Sequence, residues 1–353
     1  MDDPSPNPSA VMPEGLRVVA IGGGTGLSTL LRGLKRHVLS LSAVDGAPPP
    51  LQPYISRLTG IVTVTDDGGS SGRLRKEHGV PPPGDIRNCM TALSDDEELL
   101  NQLFRYRFSG GDLDGHNFGN LFLTALADVC GDFALAVKLS SMILKTRGEI
   151  YPSSPNSNLQ LDATMHNGKR VRGETRITAS HSGIARLRLV PANAQPLPQA
   201  LDAILSADIV SLGPGSLFTS VIPNLLVRGV SEAISNSRGV RVYVCNLMTQ
   251  PNESTGLTAS QHIEAIFSHA KGKVFDYVML NCAPVPPELR ARYADDGSEP
   301  LHNDLDAIRA LGVTPMLGDY LDASHFARHA TDRIANDLLN LPSKLSKEPI
   351  ATP

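Results

Sequence analysis

Apolar and polar positions along the chain alternate between two rhythms. Short runs of β-branched and other apolar residues read as buried strands, and the stretches between them repeat their apolar residues at helical spacing. The first run is RVVAI, Arg17 to Ile21. It leads through GGGTG into LSTLLRGLKRH, whose leucines at 27, 30, 31 and 34 share one helical face. A proline-rich loop, SAVDGAPPPLQP, precedes the second strand, LTGIVTVT, which is predicted to end at Asp66. DIRNCMTAL, DEELLNQLFRYRF, GHNFGNLFLTALADV and FALAVKLSSMILKTRG then read as helices.

NLQLDATMHNGKRVRGETRITA changes to period two around an HNG turn, predicting a small antiparallel insertion over about 155–190. The α/β rhythm returns with strands in ADIVSLG, VRVYVCNL, FDYVMLN and LGVTPML, and with helices in ASQHIEAIFSHA and ATDRIANDLLNL. Strands alternating with helices predict an α/β fold with a doubly wound, mostly parallel sheet. Residues 1–15, acidic and proline-rich, are expected to be a disordered tail. A single domain is expected over 16–342, with a frayed tail at 343–353.

Composition narrows the partners. The net charge is −4, aromatics make up 5% and Trp is absent, so neither a basic surface nor a base-stacking platform for nucleic acid is expected. No apolar run reaches the roughly 20 residues of a membrane span, and the N-terminus lacks a signal-peptide pattern. A cytoplasmic location is expected. The four cysteines, Cys89, Cys130, Cys245 and Cys282, form no CxxC and are expected to be buried, reduced thiols.

The polar loops carry the chemistry. GGGTG, DDGGSSG, GPGS, NLMTQPNES and NCAPVP all follow predicted strands. In a parallel sheet those ends lie along one rim, where ligands bind. Gly22, Gly23, Gly24, Thr25 and Gly26 have the position and composition of a phosphate loop. The dinucleotide pattern fails at Leu27 and the next strand lacks its acidic residue, so a close strand–helix turn is the competing reading.

DDGGSSG offers more chemistries. Asp66 and Asp67, adjacent on a strand, are expected on opposite faces and hence not as one acid/base pair. Either one is a candidate magnesium ligand. As acceptors for sugar hydroxyls they need no metal. Gly68, Ser70 and Ser71 add backbone and hydroxyl donors, and an exposed turn is the bland alternative.

In PPPGDIRNC, Asp85 is expected to cap a helix, and Arg87 either meets a phosphate or pairs with a carboxylate; Asn88 sits beside it. Asn117 and Asn120 share a helical face, suited to a base or sugar, with His116 either structural or a contact. Gly213, Pro214, Gly215 and Ser216 repeat the anion-loop logic at a second strand end. Asn246, Thr249 and Gln250 form a further wall, or simply make a turn. No GxSxG elbow and no HExxH occurs. His262 and His269 read as surface or packing residues of one helix.

Taken in order, VVAIGGGTGLSTLLRGLK, IVTVTDDGGSSGRLR, PPGDIRNC, GHNFGNLFL, GPGSLFTSVIPNLL, NLMTQPNES and YVMLN resemble the YvcK family of gluconeogenesis factors. These are relatives of the 2-phospho-L-lactate transferases, CofD. The resemblance implies a Rossmann-like fold. It also implies binding of a UDP-sugar, above all UDP-N-acetylglucosamine, as a signal in carbon partitioning toward the cell wall and in cell shape.

Family members carry an Arg-His-Asp segment near the C-terminus; here Arg328 and His329 match and Ala330 replaces the acid. Arg328 is therefore the candidate for uridine or phosphate. The transferases have a GPSNP-like loop where this chain has GPGSL, which argues against phospholactate transfer. Three readings follow: a UDP-sugar-binding regulator, a magnesium-dependent transferase, and a nicotinamide-cofactor (NAD) protein resting on the glycine turn alone. A homodimer is left open.

Overall fold

Six of the apolar runs, joined by one short strand the pattern does not predict, become one seven-stranded parallel sheet. In the computed structural model, which describes residues 15–39, 52–94, 99–324 and 326–345, its strands are β1 (Leu16–Gly22), β2 (Ile55–Val62), β3 (Glu149–Pro152), β7 (Ile209–Leu212), β8 (Val240–Val244), β9 (Tyr277–Asn281) and β10 (Thr314–Gly318). Three more, β4 (Gln160–Met165), β5 (Arg170–Arg172) and β6 (Ile184–Val190), build the separate antiparallel insertion in the order β5-β4-β6. β11 (Leu321–Asp322) and β12 (Arg328–His329) form a short hairpin.

The sheet order is β10-β9-β8-β7-β1-β2-β3. The chain therefore builds outward from β1 in one direction, returns, and builds outward in the other. The reversal puts a topological switch point between β1 and β7, where Ala20 pairs with Gly60 on one side and Ser211 on the other.

β1 shows why the sheet is covered on both faces. Val18 and Ala20 join one buried cluster, while Val19 and Ile21 join the other. The first cluster packs against α1 (Gly24–Leu34), α3 (Gly84–Leu93) and the helix Thr331–Leu345. The second takes the inward side chains of the antiparallel insertion, Leu161, Ala163, Leu187 and Leu189 among them, and the helix Ala259–Ala270. Near-continuous hydrophobic strands are what a parallel sheet buried on both faces requires.

Several expectations shift. β2 ends at Val62, four residues before Asp66; Thr63 N–H makes a last bond to the Gly22 carbonyl, and the residues after it leave the ladder. β3, α7 (Glu174–Thr178) and the β11–β12 hairpin have no sequence signature and were not anticipated; each is too short to show a period. Cys282 is exposed and Cys130 only half-buried, so the expectation of four buried thiols holds for Cys89 and Cys245 alone. Cys282 follows the last residue of β9 on the open rim, and Cys130 ends a helix. His262 is buried beside Tyr243 and His269 accepts the Leu187 N–H, the packing roles expected of them. The expected tails at 1–14 and 346–353, most of the proline-rich loop (40–51) and residues 96–98, which open the helix DEELLNQLFRYRF, lie outside the described residues.

Leu31 is fully buried on α1 and would touch any side chain placed at Gly60 of β2. Leu31→Ala is expected to lower unfolding free energy by about 2–5 kcal/mol in a urea titration, as large-to-small core changes do. A loss below about 0.5 kcal/mol, the range of surface substitutions, would contradict this packing.

Candidate functional site

The carboxyl ends of β1, β7 and β8 open onto a cavity of about 450 Å³ at the switch point. Gly23 to Gly26 form one wall, Pro214 to Ser216 a second, and Asn246 to Pro251 a third. The C-terminal hairpin closes it with Arg328 and His329, and Tyr293, Asp296 and Ser298 complete the rim.

Glycine is needed where two of these walls meet. A Cβ on Gly26 would overlap the Pro214 carbonyl, and one on Gly23 would lie 2.6 Å from a Thr63 methyl. Gly24 has φ +60°, a conformation other residues adopt only with strain. The opening N–H groups of α1 have no partner within the helix. Gly24 N–H donates to Asp85 Oδ2 at 2.7 Å. Thr25 and Gly26, in the same first turn, line the cavity.

Asp85 thus does not cap its own helix, as the sequence suggested. Pro83 occupies the cap position of α3, and the carboxylate in the first turn reaches a glycine 61 residues away. Burial, followed by the nearby Asp66 charge, pushes its carboxyl up to about 6. Other buried acids share the neighbourhood. Glu253, bonded by Thr219 Oγ1 at 3.1 Å, is pushed up to about 7 by desolvation. Glu174 is raised well above the usual range by burial and then by Asp66, Asp85 and Glu253. Asp66 itself is raised by burial, against the Gly68 N–H bond at 2.8 Å.

Asp66 and Asp67 part company, though not because of strand alternation, since β2 has already ended. Asp66 folds back onto Gly68, while Asp67 takes the Thr175 N–H at 2.9 Å and its hydroxyl at 2.6 Å. Asp67 therefore anchors the start of α7 to the β2 loop. Each magnesium candidate has its Oδ1 engaged, and Asp66 is bonded by the Ser71 side chain as well, so neither stands as a free carboxylate. Among the described residues no group of three or more His, Cys, Asp or Glu is placed to hold a metal.

The remaining predicted residues divide. Gly22 lies beneath the turn, where Gly213 approaches it. Asn246 Oδ1 accepts the Gly215 N–H at 3.3 Å, which removes one donor expected to be free, and Asn246 Nδ2 is buried with no partner. Gln250 bridges the second and third walls, donating to Ser216 Oγ at 2.6 Å and accepting the Leu217 N–H. Thr249 is buried and fixed by Glu299, yet lines the cavity. Ser216 precedes a π-helical turn, Leu217–Val221, rather than an α-helix.

Ser70, Asn117 and Asn120 are not brought to this cavity. Ser70 Oγ accepts from Asn117 N–H and Asn120 Nδ2 and lies 3.1 Å from His116 Nδ1, so these side chains bond one another, although Asn120 Oδ1 is buried with no partner. Asn117 also caps α5 (Phe118–Cys130). Ser71 accepts the Gly84 N–H, and Arg87 donates to Asn88 Oδ1 at 2.7 Å. Thr29, Ser220, Tyr293, Asp296, Ser298 and His329 line the cavity without having been singled out as contacts. Tyr293, Asp296 and Ser298 follow no strand, and only their place in the fold reveals them.

A family model described as 2-phospho-L-lactate transferase CofD matches residues 18–321. The chain belongs to the CofD family. Within it, the chain is 43% identical over 325 residues to the gluconeogenesis factor of Halalkalibacterium halodurans, covering 91% of this chain and 95% of that one. It is 39% identical over 327 residues to the gluconeogenesis factor of Bacillus subtilis, covering 92% and 98%. A crystal structure of a Bacillus halodurans protein superposes with a TM-score of 0.85 at 42% identity, covering 92% of this chain and 100% of that one. This CofD-family chain thus shares its overall fold with the Bacillus halodurans structure, and its relatives in Halalkalibacterium halodurans and Bacillus subtilis carry the gluconeogenesis-factor name.

The raised Asp85 carboxyl has a pH signature. A carboxyl whose folded pKa lies above its unfolded value adds stability at low pH, and that contribution is lost as pH rises through the folded pKa. Unfolding free energy should therefore contain a component that falls between about pH 4 and about 6. Asp85→Asn, which keeps an acceptor for Gly24, is expected to remove that component in urea titrations across this range. An unchanged pH profile would refute the assignment.

Proposed function

We propose that this chain is a UDP-sugar-binding regulator, with UDP-N-acetylglucosamine as the preferred ligand, acting in the cytoplasm on carbon flow toward cell-wall precursors and cell shape during gluconeogenic growth. The observation that carries the reading is the cavity at the switch point. It is lined by the start of a glycine-led helix, by the amides Asn246 and Gln250, and by Arg328. Its volume of about 450 Å³ lies within the range of small-molecule sites. The family's gluconeogenesis-factor relatives support the physiological half of the reading.

In this reading the Thr25 and Gly26 N–H groups and the start of α1 meet the diphosphate. The Asn246 amide, whose Nδ2 has no protein partner, and Gln250 address the base or sugar. Arg328, held over the Phe326 ring at 5.5 Å, supplies the positive charge for uridine or phosphate. The carboxylates behind Gly24 set the depth to which an anion can approach.

A second reading is a magnesium-dependent transferase like the enzyme that names the family model. It is favoured by a set of neighbouring carboxyls: Asp66, Asp85 and Glu253 raise the pKa of Glu174, and Asp66 raises that of Asp85. Asp66 or Asp67 would meet a magnesium ion there, in company with phosphate oxygens, and the ion would supply charge neutralisation.

Calorimetric titration with UDP-N-acetylglucosamine, UDP-glucose, NAD and GDP, with and without magnesium, separates the readings. Saturable UDP-sugar binding without turnover is the expected result; magnesium-dependent product formation would overturn the regulator. Arg328→Ala is expected to weaken binding by about 10–100-fold, the worth of a charged hydrogen bond. Gly215→Asp, which places a carboxylate between Ser220 and Gly23, should abolish binding with the circular dichroism unchanged. Retained affinity in both variants would remove the ligand from this cavity.

A further inference from the structure

The antiparallel insertion carries a feature the cavity does not use. In an antiparallel ladder, directly opposed residues share a face. Asp162 of β4 opposes Arg172 of β5 and Arg188 of β6, and Thr164 opposes Arg170 and Arg186. The alternate residues Leu161, Ala163, Leu187 and Leu189 point into the core. The outer face therefore presents four exposed arginines around one buried carboxylate.

Arg170 pairs with Asp162, and Arg172, Arg186 and Arg188 have no ion-pair partner among the described residues. Strands lie about 4.8 Å apart, so all four charges fall within about one Debye length (about 10 Å) of a neighbour and repel it. At the β6 edge a groove of about 540 Å³ extends the patch with Arg228 and Lys271. All this sits on a chain of net charge −4.

We infer that this outer face is a docking surface for an acidic segment of a partner protein. Guanidinium groups grip carboxylates with two parallel hydrogen bonds, and rows of them on a sheet match carboxylates spaced along an extended or helical segment. Anionic bilayers fit less well. Surface-bound proteins add apolar side chains to their cations, and none of the exposed large apolar residues lies in the insertion. Nucleic acid fits less well too, because the face has no aromatic side chain on which bases would stack. The inference does not depend on what the cavity holds.

The test uses the full chain and a fluorescent poly-L-glutamate peptide followed by anisotropy at low salt. Saturable binding is expected, with Arg172→Gln/Arg186→Gln weakening it at least about tenfold. This pair leaves the Arg170–Asp162 contact intact, and Arg186→Glu alone serves as a second variant. The control Lys138→Glu/Arg238→Glu changes exposed cations elsewhere and should leave binding within about twofold. Absence of binding, or equal loss in the control, would overturn the proposal. So would tighter, arginine-dependent binding to phosphatidylserine-containing vesicles or to duplex DNA at the same salt. Self-association abolished by the same substitutions would assign the face to a second copy and overturn it as well. UDP-sugar titration of the arginine variants keeps the two readings apart, since the cavity should bind its ligand unchanged.

Discussion

Everything at the rim depends on β1 being hydrogen-bonded along both edges. Its pairing with β2 continues past the strand end, where Thr63 N–H donates to the Gly22 carbonyl at 2.9 Å. On the other edge Gly213 N–H donates to the Ile21 carbonyl at 2.8 Å, and Asn224 Nδ2 reaches the Gly22 carbonyl from the π-turn side. With its carbonyls claimed from both directions, the strand end cannot drift. The glycine turn that follows is held where the next loop over can touch it. Glycine at 26 is then a consequence of that clamp, because the two backbones pass too closely for any side chain.

The electrostatics of the site follow from the same closeness. A helix start attracts negative charge, and here one of its N–H groups is answered from within by Asp85. That carboxyl is buried and sits near Asp66 and Glu174, so its ionised form is disfavoured. The anion-friendly edge of the cavity thus lies directly against an acidic interior. An incoming phosphate would find donors at the first turn of α1 and repulsion just behind it, which confines the negative group to the rim.

The periodic features were legible in the sequence. Two rhythms gave the parallel sheet, and the change to period two gave the antiparallel insertion. The alternation of strands with polar loops placed GGGTG, GPGS and NLMTQPNES on one rim, and the structure brings those three to one cavity. What local pattern could not show was the distant partner of each polar side chain. Asp85 has the sequence of a helix cap and the position of a glycine-turn anchor. Ser70, Asn117 and Asn120 have the composition of a ligand site, yet they bond chiefly to one another and lie away from the cavity. Arg328 came from the resemblance alone, and its two-residue strand has no period to read. The arginine face also stays hidden in sequence, because it exists only once the register of three strands is fixed.

The order of strands in the sheet also has a temporal meaning. β1 and β7 touch at the heart of the site, yet Arg17 and its partner Asp208 are 191 residues apart in the chain. Contacts of such separation close late, after the loop between them has lost its freedom. The last wall, at Arg328 and His329, comes from the final stretch before the closing helix Thr331–Leu345. During synthesis, no chain that stops short of His329 contains every wall of the cavity, so the site is completed only after the whole parallel sheet has been made.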